Sequence, residues 1–188
     1  MPLTESKNEK ARRQPSQMTV KQWNKLYSTV PDLYRPPLMI ITPLISGTLI
    51  APCSLPFPRL VAGQDYAIPV REHRINLNRA QCREIYLRRY FHQYEFVLLM
   101  DSDVVVPEEA VYHLLDEWKA GTVPCIDTKC TGKVDPDHGV VTSCALIHRA
   151  DYEKVDYLGN LDKCQCRILG SLFHTFYVKD CSGFEVRQ

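Results

Sequence analysis

Five apolar residues in a row, Phe96-Val97-Leu98-Leu99-Met100, end without transition in Asp101-Ser102-Asp103. So short a run, with no polar alternation, fits a strand buried on both faces, as in sheets covered by helices on either side. Val104-Val105-Val106 follows, then Pro107-Glu108-Glu109. Proline in a first turn with acids behind it is a helix start. Val111, Leu114, Leu115 and Trp118 recur at helical spacing and give that helix an apolar face, and Gly121 ends it. Strand, acidic turn and amphipathic helix in direct succession make up one unit of an α/β sheet.

The rest of the chain extends that unit. Leu38 to Thr42 is a second continuous apolar run between prolines, again a buried strand. The stretch from Pro36 to Pro58 carries no charge, as a membrane span would, but six prolines interrupt it (Pro36, Pro37, Pro43, Pro52, Pro56, Pro58) and would break a spanning helix. A buried strand followed by a proline-rich loop is expected there. Further strands are expected near Tyr66–Val70, Thr122–Ile126, Val140–Ile147 and Leu172–Val178, with a loop from Asp127 to Gly139. A helix is expected from Leu77 to Tyr90, with Leu77, Ala80, Ile85 and Tyr86 inward, Arg79, Arg83, Arg88 and Arg89 on other faces, and Asn76 or Asn78 as its cap. A short helix is expected from Ala150 to Val155. The alternation predicts an α/β fold: one α/β/α sandwich with a mostly parallel central sheet.

With 188 residues, one domain is expected, residues 37–188, preceded by a polar tail or docking segment at residues 1–36. Within that segment Met1–Gln17 is polar, and Trp23, Leu26 and Tyr27 suit a short docking helix. A formal net charge of +1 gives no overall field for nucleic acid, so no nucleic-acid partner is expected. With neither an apolar leader core nor a transmembrane segment expected, the chain is placed in the cytoplasm. Eight cysteines then read mainly as free thiols. A zinc site from Cys125, Cys130, Cys164 and Cys166 is the alternative, although its spacing is not that of paired knuckles.

Carboxylates at i and i+2 on a turn leaving a strand can face one pocket. Hard divalent ions prefer such oxygens, and they stabilise charge that builds on a leaving diphosphate. A second Asp-x-Asp, Asp135-Pro136-Asp137, lies in the expected loop and shows how readily the bare pattern arises. The plainer alternative is that Asp101 caps a turn and Asp103 caps the following helix.

The segment from Asn78-Arg79-Ala80 through Tyr94-Glu95-Phe96-Val97-Leu98-Leu99-Met100-Asp101-Ser102-Asp103 to Pro107 resembles GT-A glycosyltransferases, particularly family-2-like enzymes and their short viral or phage relatives. Gly139 to Arg149 looks like the family's acceptor-side strand, and Leu38 to Pro43 like its first strand. The resemblance spans about Leu38 to Val178 and is specific from Leu77 to Trp118. It implies a Rossmann-related GT-A domain that moves a sugar from a nucleoside diphosphate sugar to a carbohydrate or other hydroxyl acceptor, with Mn²⁺ or Mg²⁺. By that resemblance Asp101 and Asp103 hold the metal, and Asp101 and Ser102 contact the nucleotide-sugar. Thr42 and Pro43 line the base pocket, and Arg79 approaches the diphosphate. His174 is the further metal ligand, with Glu185 as its substitute, and Asp162 is the general base. The 127–139 loop suits a lid.

Two other functions fit parts of the pattern. A haloacid-dehalogenase-type phosphatase would use Asp101 as nucleophile and Asp103 as acid/base. A non-catalytic GT-A-like domain would bind nucleotide without turnover.

Overall fold

The computed structural model describes residues 37–44, 55–63, 71–129 and 139–186. The expected N-terminal tail and docking helix, the Tyr66–Val70 strand, Cys53, Cys130, the Asp135–Asp137 motif and most of the expected lid lie outside them.

Seven strands among the described residues form one sheet: β1 (Leu38–Pro43), β2 (Arg59–Ala62), β3 (Phe96–Met100), β4 (Val104–Val105), β5 (Thr122–Lys129), β6 (Cys144–His148) and β7 (His174–Glu185). Their spatial order is β2-β1-β3-β6-β5-β7-β4. The β1–β2, β1–β3 and β5–β7 pairs are parallel, whereas β3–β6, β5–β6 and β4–β7 are antiparallel. The sheet is therefore mixed rather than mostly parallel. The α/β class stands, and β6 and β4 run against the other five strands.

Side-chain alternation along each strand builds two cores. Leu38, Ile40, Phe96, Leu98, Met100, Cys144 and Leu146 face one side, where helix α2 (Glu108–Glu117) packs through Ala110, Val111, Leu114 and Leu115. Each such side chain taken out of water contributes roughly 1.5–3 kcal/mol for the larger residues. Trp118, just past α2, meets Phe96 edge-on with ring centroids 5.1 Å apart. On the other side Met39, Ile41, Val97, Leu99, Ala145 and Ile147 pack with Cys82 and Tyr86 of helix α1 (Arg71–Arg89), Tyr152 of helix α3 (Arg149–Tyr152), and Ile168 and Leu169 of helix α4 (Gln165–Leu172). Helices thus cover both faces, which is why β1 and β3 read as unbroken apolar runs. Among the described residues no helix is long and apolar enough to cross a membrane.

Several boundaries differ from expectation. Helix α1 starts at Arg71, so Asn76 and Asn78 are interior residues and not caps. Strand β2 and helix α4 occupy segments for which the sequence pattern predicts no element, and α4 takes in Leu172, expected to open the last strand; α4 is capped by the Cys164 thiol, which accepts from the Arg167 amide at 3.4 Å. Asp127–Lys129 belongs to β5 and not to a loop. Strand β7 runs on to Glu185, with the four residues between Tyr177 and Ser182 set against the single residue between Cys125 and Asp127. Asp180 takes up that bulge in a left-handed conformation (φ 60°). Beyond the bulge, β7 reaches β4, so its last residues lie beside the acidic turn.

Candidate active site at the carboxyl end of strand β3

From β1 the chain passes to β2 on one side, and β3 then lies on the other, so the winding reverses between β1 and β3. Open α/β sheets bind ligands in the crevice outside the strand carboxyl ends at such a point. Pro43 ends β1 there, and Asp101 directly follows the last residue of β3.

Asp101 to Val104 is a tight turn. The Asp101 amide donates to the Ser143 carbonyl at 2.9 Å, and the Val104 amide closes the turn onto the Asp101 carbonyl at 3.3 Å. The Val186 amide donates to the Asp103 carbonyl at 2.7 Å and fixes the turn to the end of β7. Ser102 is buried, while Asp101 and Asp103 are each partly exposed. Helix α2 has Pro107 at its N-cap position and no side-chain cap, so Asp103 is not spent in starting that helix.

Asp101 Oδ1 lies 3.3 Å from Arg79 Nη2, with the arginine side chain 11% and the aspartate side chain 31% exposed. Burial raises the Asp101 pKa above the ordinary carboxylate value, the Arg79 guanidinium opposes that rise, and the charges of Asp103 and Glu185 add to it. Two further carboxylates thus bear on Asp101 at this end of the sheet.

Arg79 also carries the site onward. Its Nη1 donates to Asn76 Oδ1 at 3.1 Å. The Asn76 amide in turn donates to backbone carbonyls of one turn, Lys163 at 2.6 Å and Asn160 at 2.9 Å, with Leu161 more distant at 3.4 Å. That turn carries the exposed Asp162. Two residues further along α1, the Asn78 amide donates to the Leu44 carbonyl just beyond β1. One helix therefore holds the end of β1, the acidic turn and the Asp162 segment together. From the sequence Asn76 reads only as a candidate cap, and Asn78 as a candidate cap that also opens the segment carrying the resemblance. Their signal is a pair of amides flanking Leu77, beside Arg79; Leu77 itself, expected inward, is only half-buried.

Other expected site residues stand elsewhere. Thr42 and Pro43 are buried at the end of β1, and the Thr42 hydroxyl accepts from Arg59 Nε at 2.8 Å, so the threonine side chain is occupied within the protein. His174 opens β7 beside Thr122, its amide donating to the Gly121 carbonyl at 3.2 Å, and its ring stacks on Phe176. Strands β7, β5 and β3 run the same way, so His174 sits at the amino end of the sheet and Asp101 at the carboxyl end. The structure does not bring His174 to Asp101 and Asp103; Glu185, at the far end of the same strand, is the β7 residue on their side. Of the cysteines considered for zinc, Cys125 is fully buried in β5, where burial pushes its thiol up to about 12, and Cys164 caps α4.

Among the described residues no three His, Cys, Asp or Glu side chains converge as a metal cage. The donor set still fits a hard divalent ion of the Mg²⁺ or Mn²⁺ kind. Such ions need only one or two carboxylates when phosphate and water fill the other positions, and Asp101 and Asp103 are two partly exposed carboxylates on one turn. No protein-family model, curated protein or solved structure matches the chain.

Proposed function

We propose that this chain is a metal-dependent glycosyltransferase of the GT-A type, transferring a sugar from a nucleoside diphosphate sugar to an acceptor hydroxyl. The observation that carries the proposal is the place of Asp101 and Asp103, on one tight turn at the carboxyl end of β3, beside the reversal of sheet winding. The link from Asp101 through Arg79 and Asn76 to the turn bearing Asp162 supports it.

In this scheme Asp101 and Asp103 hold Mn²⁺ or Mg²⁺, which supplies positive charge to the diphosphate. Arg79 orients Asp101 and offsets the cost of keeping it ionised. Asp162 takes the proton from the acceptor hydroxyl as that oxygen attacks the anomeric carbon. The bond from the anomeric carbon to the phosphate oxygen breaks, and its electron pair leaves with the nucleoside diphosphate.

The test is thermal stability with a panel of nucleoside diphosphates, with and without Mn²⁺, on the parent and on Asp103→Ala. A ligand that binds only the native state raises the melting temperature. A metal-dependent rise with one base, lost in the variant, supports the proposal and names the donor base. No rise with any nucleotide overturns it.

A further inference from the structure

Asn76 is fully buried in the interior of α1, where a polar side chain needs partners on every polar atom. All of them belong to the candidate site. Its oxygen accepts from Arg79, the residue that pairs with Asp101. Its amide nitrogen faces three carbonyls from a single four-residue turn, Asn160 to Lys163, 84 to 87 residues further along the chain. A carbonyl cluster of this kind accepts from an amide and from nothing that lacks N–H or O–H donors. Beyond the turn the contacts continue inward: Gln165, buried at the start of α4, donates to the Thr142 carbonyl at 2.8 Å, one residue before the Ser143 carbonyl that receives the Asp101 amide.

We infer that Asn76 is a positioning residue: it fixes the Asn160–Lys163 turn, and with it the Asp162 backbone, relative to Asp101 through the shared Arg79. The inference rests on the glycosyltransferase proposal and on Asp162 as its base. Asn76 touches neither donor nor acceptor. Its contribution is to the distance between the groups that do. A small misplacement of a reacting group costs on the order of 10²-fold in rate.

Two measurements on the full chain test this. Asn76→Asp keeps the oxygen that faces Arg79 and removes both amide protons from the carbonyls. Hydrogen exchange of the Lys163 amide, which donates to the Asn160 carbonyl at 3.1 Å, reports whether the turn is still held. Steady-state transfer with the donor sugar-nucleotide named by the nucleotide panel reports the consequence. Faster exchange at Lys163, an unchanged donor KM and a kcat lower by on the order of 10²-fold support the inference. Faster exchange with unchanged kcat overturns it while leaving the glycosyltransferase proposal intact, and so does unchanged exchange. A parent that neither binds nucleoside diphosphates nor transfers sugar removes the proposal itself, and the positioning role falls with it. If Asn76→Asp does not fold, Asn76→Ser replaces it; its shorter side chain gives up both the three carbonyls and Arg79, so a lower kcat supports the inference only with faster exchange at Lys163, and unchanged exchange overturns it.

Discussion

Arg79 and Asp101 are joined across the crevice by a single contact, Nη2 to Oδ1 at 3.3 Å, while the other guanidinium terminus is committed to Asn76. The remaining nitrogen, Nε, is buried and has no hydrogen-bond partner among the described residues. Two of the three guanidinium nitrogens are thus committed to residues of the candidate site.

Lysine at this position keeps a charge but not the fork that reaches two oxygens at once. Arg79→Lys is therefore expected to lose about 1.5–3 kcal/mol of stability, the worth of a hydrogen bond to a charged group. It should also raise the Asp101 pKa further, because the guanidinium is the group that lowers it. Urea denaturation gives the first quantity, and the pH dependence of metal binding gives the second. A lysine variant equal to the parent in both would show that the Arg79–Asp101 contact carries no weight.

The raised pKa of Asp101 predicts a definite pH trend. The native state keeps a proton on Asp101 over a range where the unfolded chain, with a value near about 3.9, has released it. Within that range the native state binds more protons, so stability falls as pH rises. The contribution is complete below the unfolded value and lost above the native one. Asp101→Asn removes this titration. Its denaturation midpoint should lack that part of the slope and, above the native pKa, should match or exceed the parent's in metal-free buffer. Parallel pH profiles for the two proteins would contradict the expectation.

The same acidic turn shows what sequence could and could not reveal. Phe96–Met100 is buried on both faces, so its apolar run was visible without partners, and Pro107 with Glu108 and Glu109 marked α2 where it begins. Helix α1 was expected six residues too late because Arg71 to Arg74 lack apolar periodicity and its buried positions include Asn76 and Asn78. Amides serving as clamps defeat a pattern that equates burial with hydrophobicity. The late part of β7 was hidden for a different reason. Lys179, Asp180, Ser182 and Gly183 have little strand preference, and pairing with β5 and β4 decides their conformation. His174 and Glu185 are close in sequence, but strand direction sends them to opposite ends of the sheet, which only the topology discloses.

Gly63 follows β2 and lies against the backbone of Leu44, just past β1. A Cβ there would overlap the Leu44 carbonyl oxygen and approach Asn78 Nδ2 to 3.2 Å. That carbonyl already accepts from Asn78, so the overlap involves backbone that is tied to α1. Gly63→Ala is expected to lower stability by about 1–3 kcal/mol, the usual cost of overpacking. The urea midpoint measures it. An alanine variant as stable as the parent would mean that the ends of β1 and β2 separate freely.

Asp162 and Asp103 are predicted to fail in different ways, and the contrast separates base from metal ligand. Asp103 lies on the acidic turn, whereas Asp162 lies on the turn clamped by Asn76, exposed and outside the paired carboxylates. Asp162→Asn removes a proton acceptor without altering the acidic turn. Transfer should fall by on the order of 10²–10⁴-fold, the usual worth of a general base. The melting-temperature rise with nucleoside diphosphate and Mn²⁺ should persist. A ligand at 100 times its Kd adds about 2.7 kcal/mol, which in a domain of this size corresponds to roughly 5–10 °C. Asp103→Ala should abolish that rise and the transfer together. If Asp162→Asn transfers sugar at the parent rate, another group accepts the proton. If it loses the thermal shift as well, the 160–163 turn belongs to the donor site and not to the acceptor side.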